Sequence, residues 1–149
     1  MVDAAGGDGK GDANTIVRKV VLIGNSSVGK TSIFNRIISD SYYEDGMSTY
    51  SAVFRSKTME FPGNPTKIKV NLWDTAGQEK FFSLTKLYLQ EAQGVILVYD
   101  TTYEESLDGC KIWYNMLKEH IDPKELVIAL VGNKSDNVDN VQVSVKSAE

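Results

Sequence analysis

Eight residues, Gly24-Asn25-Ser26-Ser27-Val28-Gly29-Lys30-Thr31, constrain this chain more than any other stretch. They fit G-x-x-x-x-G-K-[ST], a loop whose glycines let successive backbone N–H groups turn inward around a polyphosphate at a helix N-terminus. Such a loop needs a strand before it and a helix after it. Ile16–Gly24 carries the run Val20-Val21-Leu22-Ile23, the kind buried on both faces of a parallel sheet. Lys30–Ser39 sets Ile33, Phe34, Ile37 and Ile38 on one helical face. The candidate nucleotide-binding stretch is therefore Gly24, Asn25, Ser26, Ser27, Val28, Gly29, Lys30, Thr31 and Ser32. Lys30 would reach the β- and γ-phosphates and the Thr31 hydroxyl would bind Mg²⁺.

Beyond the loop the pattern keeps alternating. Val53–Phe61 and Lys67–Trp73 read as strands joined by a turn at Pro62-Gly63-Asn64-Pro65, which suggests an antiparallel hairpin. Phe81–Ala92 looks helical, and Gly94–Asp100 is a buried strand. Glu104–His120 is a helix with Leu107, Cys110, Tyr114 and Leu117 on one stripe, and Leu126–Gly132 is the last clear strand. Strands alternating with helices predict an α/β fold with a doubly wound, mostly parallel sheet, whose binding sites lie at the carboxyl ends of the strands.

Composition narrows the function classes. At 149 residues and 42% apolar content the chain has room for one domain with a core, 16–149, after a Gly/Asp-rich N-terminal tail, 1–15, expected to be disordered. The net charge of −4 argues against bulk binding to nucleic acid or to anionic membranes. A single cysteine cannot form an internal disulfide, and no apolar run approaches the roughly 20 residues that cross a bilayer. A cytoplasmic protein is the expectation. Cys110 and His120 read as a core residue and a helix-end residue, and with one of each a zinc or haem site is not credible.

Two further motifs fall at strand ends. Asp74-Thr75-Ala76-Gly77-Gln78-Glu79 leaves the strand Lys67–Trp73. There Asp74 can hold the Mg²⁺ hydration shell, Gly77 lets a backbone N–H approach the γ-phosphate, and Gln78 is placed to orient an attacking water. An ordinary strand-to-helix turn capped by Asp74 is the plainer alternative. Asn133-Lys134-Ser135-Asp136 follows the strand Leu126–Gly132. An aspartate there accepts from the N1–H and N2 amino group of guanine, a donor pair that adenine lacks. Asn133 and Lys134 would brace the loop and cover the base; alone, the motif also occurs as a polar turn.

In this order and placement the three motifs resemble the Ras superfamily of small GTPases, and Trp73–Thr102 looks most like its Rab branch, through Lys80–Thr85 and Leu97–Thr102. The resemblance runs from about Arg18 to the end of the chain and implies the P-loop NTPase, small G-protein fold. It implies GTP/GDP and Mg²⁺ as ligands, with Thr31, Thr49 and Asp74 on the metal. It further implies Tyr42 as an aromatic against guanine, with an ordinary surface-loop tyrosine as the equal alternative, Gln78 as the catalytic residue, and slow GTP hydrolysis that a partner's arginine would accelerate. Exchange factor, GTPase-activating protein and effectors would act through Asp40–Val53 and Gly77–Ala92, in the service of vesicle trafficking.

The sequence also departs from that family. Tyr50-Ser51-Ala52-Val53-Phe54 replaces the usual Ile-Gly-Val-Asp-Phe, and Tyr88-Leu89-Gln90-Glu91-Ala92 replaces Tyr-Tyr-Arg-Gly-Ala, so partner recognition is expected to differ. After Asp136 no apolar strand fits before Ser147-Ala148-Glu149, and Val143–Glu149 reads as the start of the following helix. The expected domain therefore lacks the family's last strand and helix, leaves Leu126–Val131 as an apolar edge, and has no lipid-bearing cysteine to anchor it. A longer product with a prenylated C-terminus would sit on the cytoplasmic face of endomembranes. The rival expectations are a non-hydrolysing interaction module derived from a GTPase and a P-loop ATPase or kinase, the latter disfavoured by Asp136.

Overall fold

The computed structural model describes residues 14–43, 49, 52–77, 87–121 and 126–148, the side chains of His120 and Val145 excepted. Its described strands form one five-stranded sheet, built around β1, Thr15–Ile23. The sheet order is β2-β3-β1-β4-β5, with β2 at Val53–Phe61, β3 at Asn64–Asp74, β4 at Gly94–Asp100 and β5 at Val127–Asn133. All neighbouring pairs are parallel except β2 and β3.

Register explains why the apolar run of β1 is confined to its end. Thr15 to Leu22 pair with Lys67 to Asp74 of β3, whereas β4 joins the other side only at Val20–Ile23, opposite Gly94–Leu97. Val21, Leu22 and Ile23 are accordingly buried completely, while residues 16–18 of the same strand are exposed. Residue 15 already belongs to β1. Before it, Asn14 accepts from Lys67 N through its carbonyl (3.0 Å) and donates through Nδ2 to Pro65 O (2.7 Å). Residues 14 and 15, at the end of the stretch 1–15 expected as a tail, are thus held against β3; residues 1–13 lie outside the described set.

The β2–β3 hairpin is tighter than its sequence suggests. The turn is Pro62-Gly63 alone, with Phe61 opposite Asn64 and Gly63 at φ 79°. Proline first and a positive-φ glycine second is the residue order of a type II turn. Pro65 is consequently inside β3 rather than in the turn, near the strand's start, where a missing N–H is tolerated.

Alternation along the strands splits the core in two. Helix α1, Lys30–Ser39, covers one face, packing Phe34 with Val28, Leu22, Leu72 and Val98. Helix α2, Glu104–His120, covers the other, packing Cys110, Trp113, Met116 and Leu117 against Val21, Ile23, Val95, Leu97 and Tyr99. Tyr114, placed on the apolar stripe by its spacing, turns outward instead, with Lys118 against its ring, and Trp113 takes the core position. The fully buried positions run 106-110-113-117, a 3.6-residue progression; of the expected stripe Cys110 and Leu117 are in it, Leu107 packs half-buried against it, and Tyr114 departs.

Of the helix expected over Phe81–Ala92, residues 81–86 lie outside the described set and residues 87–89 are helical. A single helical turn, Val145–Ala148, forms α3 within the expected Val143–Glu149. Among the described strands β5 is one edge and β2 the other, and on β5 Val127 and Leu130 are exposed. No described helix is long and apolar enough to cross a membrane.

Candidate functional site

Three loops meet at the carboxyl edge of the parallel strands: 24–29 after β1, 75–77 after β3 and 134–137 after β5. The first is shaped by glycine where glycine is required. Gly24 has φ 145°, and a Cβ there would land on the Val98 carbonyl oxygen; Gly29 has φ 94°, and a Cβ would land on the Asn133 amide. Between them Ser26 and Ser27 stand exposed at the crest, Ser27 with φ 64°, while Val28 turns into the α1 core.

Lys30, first residue of α1, bends back under this loop. Its Nζ donates to Gly24 O at 2.9 Å and Asn25 O at 2.7 Å. Burial lowers its pKa to about 8, against the pull of the nearby Asp74 carboxylate. Residue 77 completes the enclosure, since a Cβ on Gly77 would meet the Lys30 ammonium and come within 2.5 Å of Asn25 O. Asn25 is also held from the helix behind it: Trp113 Nε1 donates to Asn25 Oδ1 at 3.1 Å.

Beside Lys30 lies an oxygen cluster. Thr31 Oγ1 donates to Asp74 Oδ2 at 2.6 Å and is 2.8 Å from Thr49 Oγ1, itself 3.5 Å from Asp74 Oδ2. Burial raises the Asp74 pKa, opposed by the Thr31 hydrogen bond and the Lys30 charge. Asp74 Oδ1 is buried with no hydrogen-bond partner. An unsatisfied buried carboxylate oxygen is costly, and a cation would relieve it. One carboxylate and two hydroxyls form an all-oxygen set that suits a hard divalent ion sharing its shell with phosphate oxygens. No described group of three His, Cys, Asp or Glu side chains offers a denser site.

On the far side of Gly29 opens a cleft of about 530 Å³, lined by Gly29, Ser32, Ile33, Arg36, Ile37, Tyr42, Asn133, Lys134, Asp136 and Asn137. Asn133 ties it to the first loop, donating through Nδ2 to Val28 O at 2.9 Å. Lys134, at φ 61°, sends its ammonium to Asp100 Oδ2 at 2.5 Å. Asp100 Oδ1 in turn accepts from Thr102 N and Oγ1 at 2.9 and 2.7 Å, and Thr101 N and Oγ1 both donate to Asn133 O at 3.0 Å. Burial pushes the Asp100 pKa up, but the hydrogen bonds from Lys134 and Thr102 together with the Lys134 charge outweigh it and leave it lowered.

Of the residues singled out from sequence, Gly24 to Ser32, Thr49, Asp74, Gly77, Asn133, Lys134 and Asp136 come together here, and Tyr42 lines the cleft although largely exposed. Gln78 lies outside the described residues. Sequence reasoning missed Asp100, Trp113 and the cleft wall of Ile33, Arg36 and Ile37. The wall was legible in principle, because these residues share α1 with the loop. Asp100 was legible from strand order, because it stands opposite Asn133 in the β4–β5 register.

The comparisons with known proteins place the chain in a family. A family model described as Ras, the Ras family, matches residues 19–149. The Ras-related protein SEC4 of Saccharomyces cerevisiae is 40% identical over 135 residues, which is 91% of this chain and 60% of that protein. The GTP-binding protein YPT52 of the same yeast is 44% identical over 124 residues, 79% of this chain and 53% of that protein. The Ras-related protein Rab-8B of Homo sapiens is 40% identical over 131 residues, 88% of this chain and 62% of that protein. The chain thus spans between 53% and 62% of the length of these relatives.

Proposed function

The chain belongs to the Ras family, and from that premise we propose that it is a Rab-like guanine-nucleotide switch that hydrolyses GTP slowly. One observation carries this reading: the buried, unpartnered Asp74 Oδ1, in a cluster with the Thr31 and Thr49 hydroxyls, directly beside the glycine loop that buries Lys30.

In the proposed arrangement the polyphosphate lies in the loop from Gly24 to Ser32. The Lys30 ammonium, now on the Gly24 and Asn25 carbonyls, turns a donor to phosphate oxygens, which hold it charged. Guanine occupies the cleft, where the Asp136 carboxylate accepts from its N1–H and N2 amino group, Tyr42 covers it and Lys134 flanks it. Thr31, Thr49 and Asp74 would hold Mg²⁺, which when bound neutralises charge on the β- and γ-phosphates. Gln78 is the residue assigned to orient the attacking water, which displaces GDP from the γ-phosphorus. The Gly77 N–H is aimed at the γ-phosphate, so loss of that group releases the segment behind it.

The resemblance supports exchange factors, GTPase-activating proteins and effectors as partners acting through Asp40–Val53 and Gly77–Ala92. It also supports a role in vesicle trafficking, at the cytoplasmic face of endomembranes. An arginine supplied by a partner beside the phosphate loop would accelerate hydrolysis. The test is displacement of fluorescent GDP from this chain in Mg²⁺ buffer. The expected result is displacement by GTP and GDP but not by excess ATP; displacement by ATP, or no binding by folded protein, overturns the reading.

A further inference from the structure

Trp113 lies in the middle of α2 and is buried almost entirely in the core on that side of the sheet. A buried indole N–H needs an acceptor. This one donates to the side chain of Asn25, the first variable residue of the phosphate loop and 88 positions away in sequence. One turn earlier in α2 stands Gly109, whose added Cβ would come within 2.6 Å of Asn25 Cγ. Glycine lowers helix propensity at an interior position, and here it clears the space into which the Asn25 amide reaches. The Asn25 main chain is fixed separately: its carbonyl accepts from Lys30 Nζ at 2.7 Å and abuts Gly77.

We propose that Trp113 is a positioning residue of the nucleotide site: through the Asn25 side chain it holds the first peptides of the phosphate loop in their binding orientation. This rests on the nucleotide-binding reading above. When a polyphosphate enters, the Lys30 ammonium, which now spends two of its three donors on the Gly24 and Asn25 carbonyls, is shared with phosphate oxygens and its hold on Asn25 weakens. From then on the side-chain bond to Trp113 is what keeps that peptide from rotating and the loop N–H groups converging on phosphate. Gly109 is part of the same device, since any larger residue there displaces the Asn25 amide from the indole.

The test is a double-mutant cycle on the rate at which fluorescent GDP leaves the full chain in Mg²⁺ buffer when chased with unlabelled GDP. Trp113→Phe keeps an aromatic ring in the core and removes the N–H; Asn25→Ala removes the acceptor. Each is expected to speed release by about 3- to 10-fold, the worth of one hydrogen bond, and the double variant is expected to be no faster than either single one. Thermal unfolding separates packing from positioning, because the part of the Trp113→Phe loss that persists with Ala at position 25 is packing and the remainder is the bond to Asn25. In the nucleotide-free chain, the Trp113 indole N–H resonance is expected to lose protection from solvent exchange in Asn25→Ala, while that of Trp73 does not change. Wild-type chain that binds GDP but whose release rate is unmoved by Trp113→Phe, or moved additively with Asn25→Ala, overturns the inference alone. Wild-type chain that is folded and does not bind GDP overturns the nucleotide reading, and the role of Trp113 with it.

Discussion

Replacing Asp100 with asparagine removes one charge at the point where β4 meets the 134–137 loop, and its consequences can be worked out from the contacts. Asp100 is only 9% exposed, whereas its partner Lys134 is 41% exposed. An exposed pair contributes about 0–1 kcal/mol, and breaking a fully buried pair costs about 3–5 kcal/mol. With one partner half in water, Asp100→Asn should destabilise the chain by about 1–2 kcal/mol at pH 7.5. The asparagine oxygen still accepts from Thr102, so the loss is confined to the ion pair. The pH dependence has a definite sign. Burial raises the Asp100 pKa, but donors from Lys134 and Thr102 and the Lys134 charge leave it below the ordinary 3.8. Its contribution is therefore fully present above that ordinary value and is lost as pH falls through the lower folded value. Urea unfolding of both proteins at pH 7.5, 5 and 3 measures this. The gap between them should hold from 7.5 to 5 and narrow by pH 3. Equal stability at pH 7.5, or a gap that widens on acidification, would refute the reasoning.

Other expectations follow from single contacts. Asp74→Asn leaves the shape of the oxygen cluster but removes its charge, so EDTA should accelerate GDP release from wild type and barely change it in the variant; the nucleotide-free unfolding midpoint should not fall, because a costly buried carboxylate has been neutralised. Gly63→Ala meets nothing within 4 Å and pays only for φ 79°, so calorimetry should show a loss of about 1 kcal/mol with GDP affinity unchanged. Leu117→Ala empties a fully buried site between α2 and the sheet and should cost about 2–5 kcal/mol in urea unfolding.

What the sequence disclosed was mostly what neighbours in the chain decide. The bounds of α1, β2, β4 and α2 follow from local periodicity and from the glycines and charges that flank them, and the structure reproduces them residue for residue. The phosphate-loop glycines were legible for the same reason, since a positive φ is a local demand. The misreadings arose where a distant partner settles the matter. Pro65 looked like part of a turn because its tolerance inside β3 depends on strand position. Tyr114 and Trp113 both suit the edge of an apolar stripe, and the acceptor on Asn25 is one of the contacts that distinguish them. Asp100 was passed over as one more strand-end carboxylate, because its role is set by Lys134 across the β4–β5 register.

The place of β1 in the sheet also sets a timetable. This strand is made first, yet it acquires its two neighbours only when Lys67–Asp74 and then Gly94–Leu97 have been synthesised. At about 5–20 residues per second, the stretch from Ile23 to Leu97 takes roughly 4–15 s to emerge. The β2–β3 hairpin, whose partners are close in sequence, can form during that interval. A nascent chain therefore holds the apolar end of β1, with the glycine loop attached, without both strand neighbours for seconds, although α1 can already pack on one of its faces. Nucleotide cannot shelter that segment early, because the residues that would recognise the base arrive later still, in the loop after β5. The strand that anchors the site is thus the one most in need of a chaperone's hold during translation.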